Sequence, residues 1–95
     1  MEKIEELRKN IDVIDRKMAE LFEERMNASY EIGMYKKQNG IPVLDREREK
    51  KILKNNIKYI NKPEFRGYYE EFMNELMHVS KVYQQKQMGD IRIAY

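Results

Sequence analysis

The sequence predicts an all-α fold of three helices, one long and two shorter, assembled with a second copy of the chain. Three observations carry this. Apolar residues recur in steps of three and four from Ile4 to about Asn39, with no proline between them. The two prolines, Pro42 and Pro63, fall in short breaks that divide the chain into three helical stretches. A helix of about 35 residues is roughly 52 Å long at 1.5 Å per residue. A globule of 95 residues has a radius of gyration of only roughly 12 Å. Its own chain cannot cover such a helix, so a homodimer partner is expected to do so.

The first helix carries Ile4, Leu7, Ile11, Ile14, Met18 and Leu21, then Ala28, Ile32 and Tyr35, on a heptad seam. Asn39-Gly40 ends it, because glycine readily takes the left-handed conformation past a helix end. Ile41-Pro42-Val43-Leu44 reads as an extended link, since proline disfavours helix at the residue before it. Asp45 is an N-cap for the second helix, with Glu47 in its first turn. Ile52, Leu53, Ile57 and Ile60 mark its apolar face, and Asn61-Lys62-Pro63 stops it. The third helix is expected from about Glu64 to Met88, with a stripe from Phe65 through Tyr69, Phe72, Met73, Leu76 and Met77 to Tyr83. Residues 1–88 then form one domain. Residues 89–95 form a tail in which Ile91, Ile93 and Tyr95 alternate as on a strand.

Composition narrows the function. With no cysteine, neither a disulfide framework nor a thiolate metal site can form. Lysine and arginine exceed the acids by only 19 to 17, and the two signs alternate as on solvated helix faces. No basic stripe suggests nucleic acid. No leader pattern opens the chain and no apolar run approaches a membrane span, so a cytoplasmic location is expected. His78, the lone histidine, has neighbours unlike a metal site and reads as an ordinary helix residue. No cofactor and no metal are expected.

The informative residues are polar ones on the apolar stripes. Arg25 takes the seam position between Leu21 and Ala28. A buried, unpaired guanidinium costs several kcal/mol, so something anionic should meet it: an acid from a neighbouring helix, or a ligand. Lys36 lies eleven residues on, within about 20° of the same face and about 16 Å along it. By itself it reads as a solvated helix-end lysine. Ser80 and Gln84 share a face that continues the stripe of the third helix. Either they need buried partners, or the helix leaves the core there. Arg48 and Glu49 open the second helix beside Asp45, ordinary first-turn charges when taken alone. Arg8 precedes Arg25 by seventeen residues, about 100° round the helix, so any site it serves is the partner's. Together these residues describe cations, an amide, a hydroxyl and a carboxylate around a cavity. There is no nucleophile–base pair, no metal cluster and no phosphate-binding glycine loop. Such a site binds a small dianion and stabilises charge.

Several runs resemble the all-helical, type II chorismate mutases. They are Leu7-Arg8-Lys9-Asn10-Ile11-Asp12-Val13-Ile14-Asp15, then Arg25, then Ile32-Gly33-Met34-Tyr35-Lys36. They continue with Pro42-Val43-Leu44-Asp45-Arg46-Glu47-Arg48-Glu49 and Ser80-Lys81-Val82-Tyr83-Gln84. The resemblance implies an intertwined helical homodimer that rearranges chorismate to prephenate through a chair-like transition state, in aromatic amino-acid biosynthesis. It implies that Arg25, with Arg8 from the partner chain, holds the two substrate carboxylates. Lys36 and Gln84 would donate to the ether oxygen and Glu49 would accept from the ring hydroxyl. Asp45 and Arg48 would lie close by, and Ser80 would approach a carboxylate. Ile91-Arg92-Ile93-Ala94-Tyr95 resembles the first strand of a prephenate dehydratase domain, which implies the mutase part of a bifunctional protein. Two alternatives stay open. One is an isochorismate-pyruvate lyase on the same scaffold. The other is a non-catalytic helical dimerisation module, in which Arg25, Lys36 and Gln84 would pair with protein groups and leave no cavity.

Overall fold

The computed structural model describes residues 2–87. The expected boundary at residue 88 and the tail from 89 to 95 lie outside the described residues. Three helices run α1 (Glu2–Gln38), α2 (Arg46–Ile57) and α3 (Arg66–Gln87). A short 3-10 turn, Pro63–Phe65, leads into α3.

Helix α1 has 37 residues, with Glu2 and Glu5 in its first turn and Lys36 and Lys37 in its last. These charges complement the helix dipole. Gly40 has φ 65°, and the Ile41 amide donates to the Lys36 carbonyl at 2.8 Å. That bond is the six-to-one closure of a Schellman end, and it turns the chain into the link. Asp45 is the N-cap of α2; its Oδ1 accepts from the Arg48 amide at 3.0 Å.

Two boundaries differ from the sequence reading. Helix α2 ends at Ile57, and Ile60 follows in a turn whose amide donates to the Ile57 carbonyl. The periodicity included Ile60 because a turn continuing the helical rotation keeps its apolar residue on nearly the same side. The start expected near Glu64 belongs to the 3-10 turn, and α3 begins at Arg66. Proline at the first position suits such a turn, having no amide hydrogen to leave unsatisfied.

Helix α3 packs along the last third of α1, and α2 packs on α3 rather than on α1. The contact is centred beside the large apolar residues of the α1 seam. Its buried residues are Ser29 and Gly33 on α1 and Met73, Met77, Ser80 and Gln84 on α3. Ser29 and Gly33 lie about 60° and 100° round the helix from Ile32, so this face flanks the seam, with Arg25 at its edge. Small residues admit the close approach: a Cβ on Gly33 would lie 3.2 Å from the Gln84 Cγ. Hydrophobic periodicity finds large apolar residues, so it located the seam and passed over this face. Tyr30 and Tyr83 extend the contact with rings 6.5 Å apart.

The seam itself is open. Its six large apolar residues from Ile4 to Leu21 are 46–63% exposed, and Val13 and Phe22 on the same helix are exposed as well. The molecule is rod-like, with extents of 55 × 24 × 23 Å and a radius of gyration of 16.7 Å.

Candidate active site

The last third of α1, the link, the first turns of α2 and the C-terminal half of α3 line a partly open cavity of about 290 Å³. Seven of the eight polar residues picked from the sequence line it. Arg25 and Lys36 come from α1, and Asp45, Arg48 and Glu49 come from the cap and first turn of α2. Ser80 and Gln84 come from α3. Arg8 does not line it. It is exposed, about 25 Å from Arg25 along the helix at 1.5 Å per residue.

Each element delivers its side chains for a local reason. The residues Arg25, Ser29, Ile32 and Lys36 fall on one side of α1 through three- and four-residue steps. The Schellman turn reverses the chain so that Val43 faces Lys36, whose Nζ donates to the Val43 carbonyl at 3.0 Å. The Asp45 cap fixes where α2 begins and therefore where Arg48 and Glu49 point.

Arg25 Nη1 donates to the Ser80 Oγ at 2.7 Å, and Ser80 donates weakly to the Met26 sulfur at 3.8 Å. No carboxylate pairs with Arg25 among the described residues. Burial holds the Arg25 pKa below its ordinary value. The Arg48 charge lowers it further, and Tyr69 acts the other way. The guanidinium stays protonated, so its charge is half-buried and faces another cation. Four cations (Arg25, Lys36, Arg48 and Lys81) and two carboxylates (Asp45 and Glu49) line the cavity, an excess of two positive charges. One of those carboxylates is engaged as a helix cap, and the other pairs with Lys81 at 3.0 Å.

Gln84 is buried, and its Nε2 donates to the Ser29 carbonyl at 2.9 Å and lies 3.0 Å from the Ser29 Oγ. Both acceptors belong to one residue, so the amide nitrogen is held at the cavity wall. Ser29 and Lys81 were missed by sequence reasoning. Ser29 is four residues after Arg25, on its face, and that spacing is the one signal that could have found it. Lys81 looked like one more helix lysine. Among the described residues, no three His, Cys, Asp or Glu side chains form a metal-binding group, and no helix is long and apolar enough to cross a membrane.

Arg25, Lys36 and Gln84 therefore do have protein partners, as a purely structural module requires. The cavity beside them is what such a module should lack. A helical fold with a small, net-positive cavity and no histidine or cysteine in its lining defines a class: proteins that hold a small organic anion by hydrogen bonds and charge. A family comparison makes this particular. A model of the family described as chorismate mutase type II matches residues 7–85, and the chain belongs to that family.

Over 52 residues the chain is 46% identical to a chorismate mutase of Methanocaldococcus jannaschii, covering 55% of this chain and 52% of that one. Over 79 residues it is 33% identical to a bifunctional chorismate mutase/prephenate dehydratase of Aquifex aeolicus, covering 83% of this chain and 21% of that one. It is 39% identical over 49 residues to the T-protein of Haemophilus influenzae, covering 52% of this chain and 13% of that one. The chain thus spans about half the length of the first of these relatives and less of the others. No solved structure matches it.

Proposed function

We propose that this protein converts chorismate to prephenate by an intramolecular Claisen rearrangement, as an intertwined homodimer whose two cavities each take Arg8 from the other chain. One observation carries the reading: a half-buried Arg25 with no carboxylate partner among the described residues, in a cavity carrying two excess positive charges. Chorismate is a dianion and matches that excess. The rearrangement exchanges no proton or electron with the protein, which suits a lining without a nucleophile–base pair.

In this mechanism Arg25 and the partner's Arg8 hold the two carboxylates, and a planar guanidinium grips a carboxylate through two parallel bonds. Ser80, already bonded to Arg25, orients it. The substrate is held in its compact conformer, with the reacting carbons in contact. As the ether bond breaks, negative charge grows on its oxygen. Lys36 has three ammonium hydrogens and spends one on Val43. Gln84 turns one N–H from the Ser29 hydroxyl to the ether oxygen and keeps the other on the Ser29 carbonyl. Both bonds strengthen with the developing charge, so they lower the barrier rather than only the binding energy. Glu49 accepts from the ring hydroxyl through the oxygen that Lys81 leaves free. Arg48 adds positive potential, and Asp45 acts through the helix it caps.

The decisive experiment follows chorismate absorbance after adding pure protein, with prephenate identified as the product and isochorismate offered in parallel. Loss of chorismate without prephenate, or turnover of isochorismate alone, removes the reading. Residues 1–88 are proposed as the mutase domain and 89–95 as the start of a following domain. Deleting residues 91–95 should then leave mutase activity and melting temperature nearly unchanged.

A further inference from the structure

We infer that Lys81 is a positioning residue that sets substrate specificity, by holding Glu49 away from the cavity's arginines and ready for a ring hydroxyl. The inference rests on the proposed rearrangement and deepens it. Lys81 Nζ sits 3.0 Å from the Glu49 Oε2, joining α3 to α2 across 32 residues of sequence. Both side chains line the cavity. Three further ion pairs, Arg16–Glu20, Lys50–Glu47 and Lys62–Glu64, join residues at most four apart, with side chains 63–85% exposed. Pairs of that kind are screened and contribute little. The Lys81 and Glu49 side chains are only 28% and 31% exposed, so their pair is better shielded and spans two elements.

Glu49 shares its cavity with Arg25 and Arg48. An unrestrained carboxylate there would pair with a guanidinium, which offers the better two-pronged partner. Such a pair would remove the hydroxyl acceptor and also neutralise a cation needed for the dianion. Lys81 approaches from α3 and commits one carboxylate oxygen. The other stays available, and the rotamer freedom of Glu49 is already lost before the ligand arrives. Among the described residues no carboxylate pairs with Arg25, which agrees with this.

The test uses two non-rearranging chorismate analogues, one with the ring hydroxyl and one without, measured as competitive inhibitors. The wild type should prefer the hydroxylated analogue. In Lys81→Met, which keeps the volume and removes the charge, that preference should fall about tenfold, the order of one hydrogen bond to a charged acceptor. Lys81→Arg should restore it to within about threefold. In a Glu49→Gln background, Lys81→Met should change the preference no further. Equal weakening of both analogues by Lys81→Met would reduce Lys81 to a general anion attractor and overturn the inference, as would an unchanged preference. Should Lys81→Met not fold, Lys81→Gln takes its place. A wild type that neither binds the analogues nor turns over chorismate instead refutes the parent reading, so the two failures are distinguishable.

Discussion

Gln84 shows how much of this site is decided by single contacts. Its amide nitrogen is held by Ser29, and its aliphatic stem lies against Gly33, where there is little room for a side chain. Gly33→Ala would place a Cβ 3.2 Å from the Gln84 Cγ and 3.2 Å from the Gln87 Oε1. Gln84 cannot simply swing aside, because its far end is tied to Ser29. Alanine gains about 1 kcal/mol of helix propensity over glycine, which offsets the crowding in stability but not in geometry. Gly33→Ala should therefore melt within a few degrees of wild type, yet lose on the order of tenfold in kcat, about 1.4 kcal/mol of barrier. Lys36→Ala tests the other donor. The Val43 carbonyl that it leaves belongs to a half-buried link residue lining the cavity, where water can replace the lost donor. The fold should survive, while kcat falls on the order of 10²-fold or more, as for loss of an oxyanion donor. A rise in KM alone would show that Lys36 serves binding and not the transition state.

Asp45 illustrates the scale of the element. Its carboxylate lines the cavity, but its Oδ1 is occupied by the Arg48 amide at 3.0 Å. Its main task is to start α2, and through α2 to aim Arg48 and Glu49. Asp45→Ala should cost about 1 kcal/mol of stability, as for other lost N-caps, and should raise KM as the first turn frays. Asp45→Ser keeps a capping oxygen and drops the charge, so thermal melts and kinetics on both variants separate the two roles. Near-wild-type behaviour of the serine variant marks a cap. A tenfold or larger rise in its KM marks a direct contact with substrate. The cap was legible in the sequence, because an Asp after an extended Pro-containing link and before a charged helix has few other uses. The small-residue face of α1 was not, because Ser29 and Gly33 carry no hydrophobic signal and matter only through what approaches them.

At the scale of the whole molecule the open seam dominates. Residues from Ile4 to Phe22 leave large apolar side chains on a helix that spans the 55 Å length of the molecule. Apolar patches of this extent mark interfaces, and the proposed dimer covers this one. Arg8 supplies a stringent test. Arg8→Ala and Arg25→Ala homodimers should each be nearly inactive. Unfolded together in equal amounts and refolded, about half of the dimers become mixed by random pairing. One cavity of each mixed dimer then has both arginines and the other has neither. Activity should recover to roughly one quarter of wild type on that two-site count. No recovery would mean that Arg8 serves its own chain, since every cavity would then lack one arginine, and the crossed arrangement would have to be abandoned.

By itself the sequence determined the number of helices, the breaks at Pro42 and Pro63 and the cap at Asp45. It also determined which polar residues interrupt apolar stripes. These are local matters, set by backbone sterics, capping and periodicity within a few turns of chain. Only the tertiary structure decided that α3 packs on Ser29 and Gly33, beside the large apolar residues of the seam. It alone revealed that Arg25 meets a serine rather than an acid, and that Lys81 reaches Glu49 across 32 residues. The physical reason is that such contacts depend on how closely two helices approach and on which rotamers then meet. No spacing along a single chain encodes that distance.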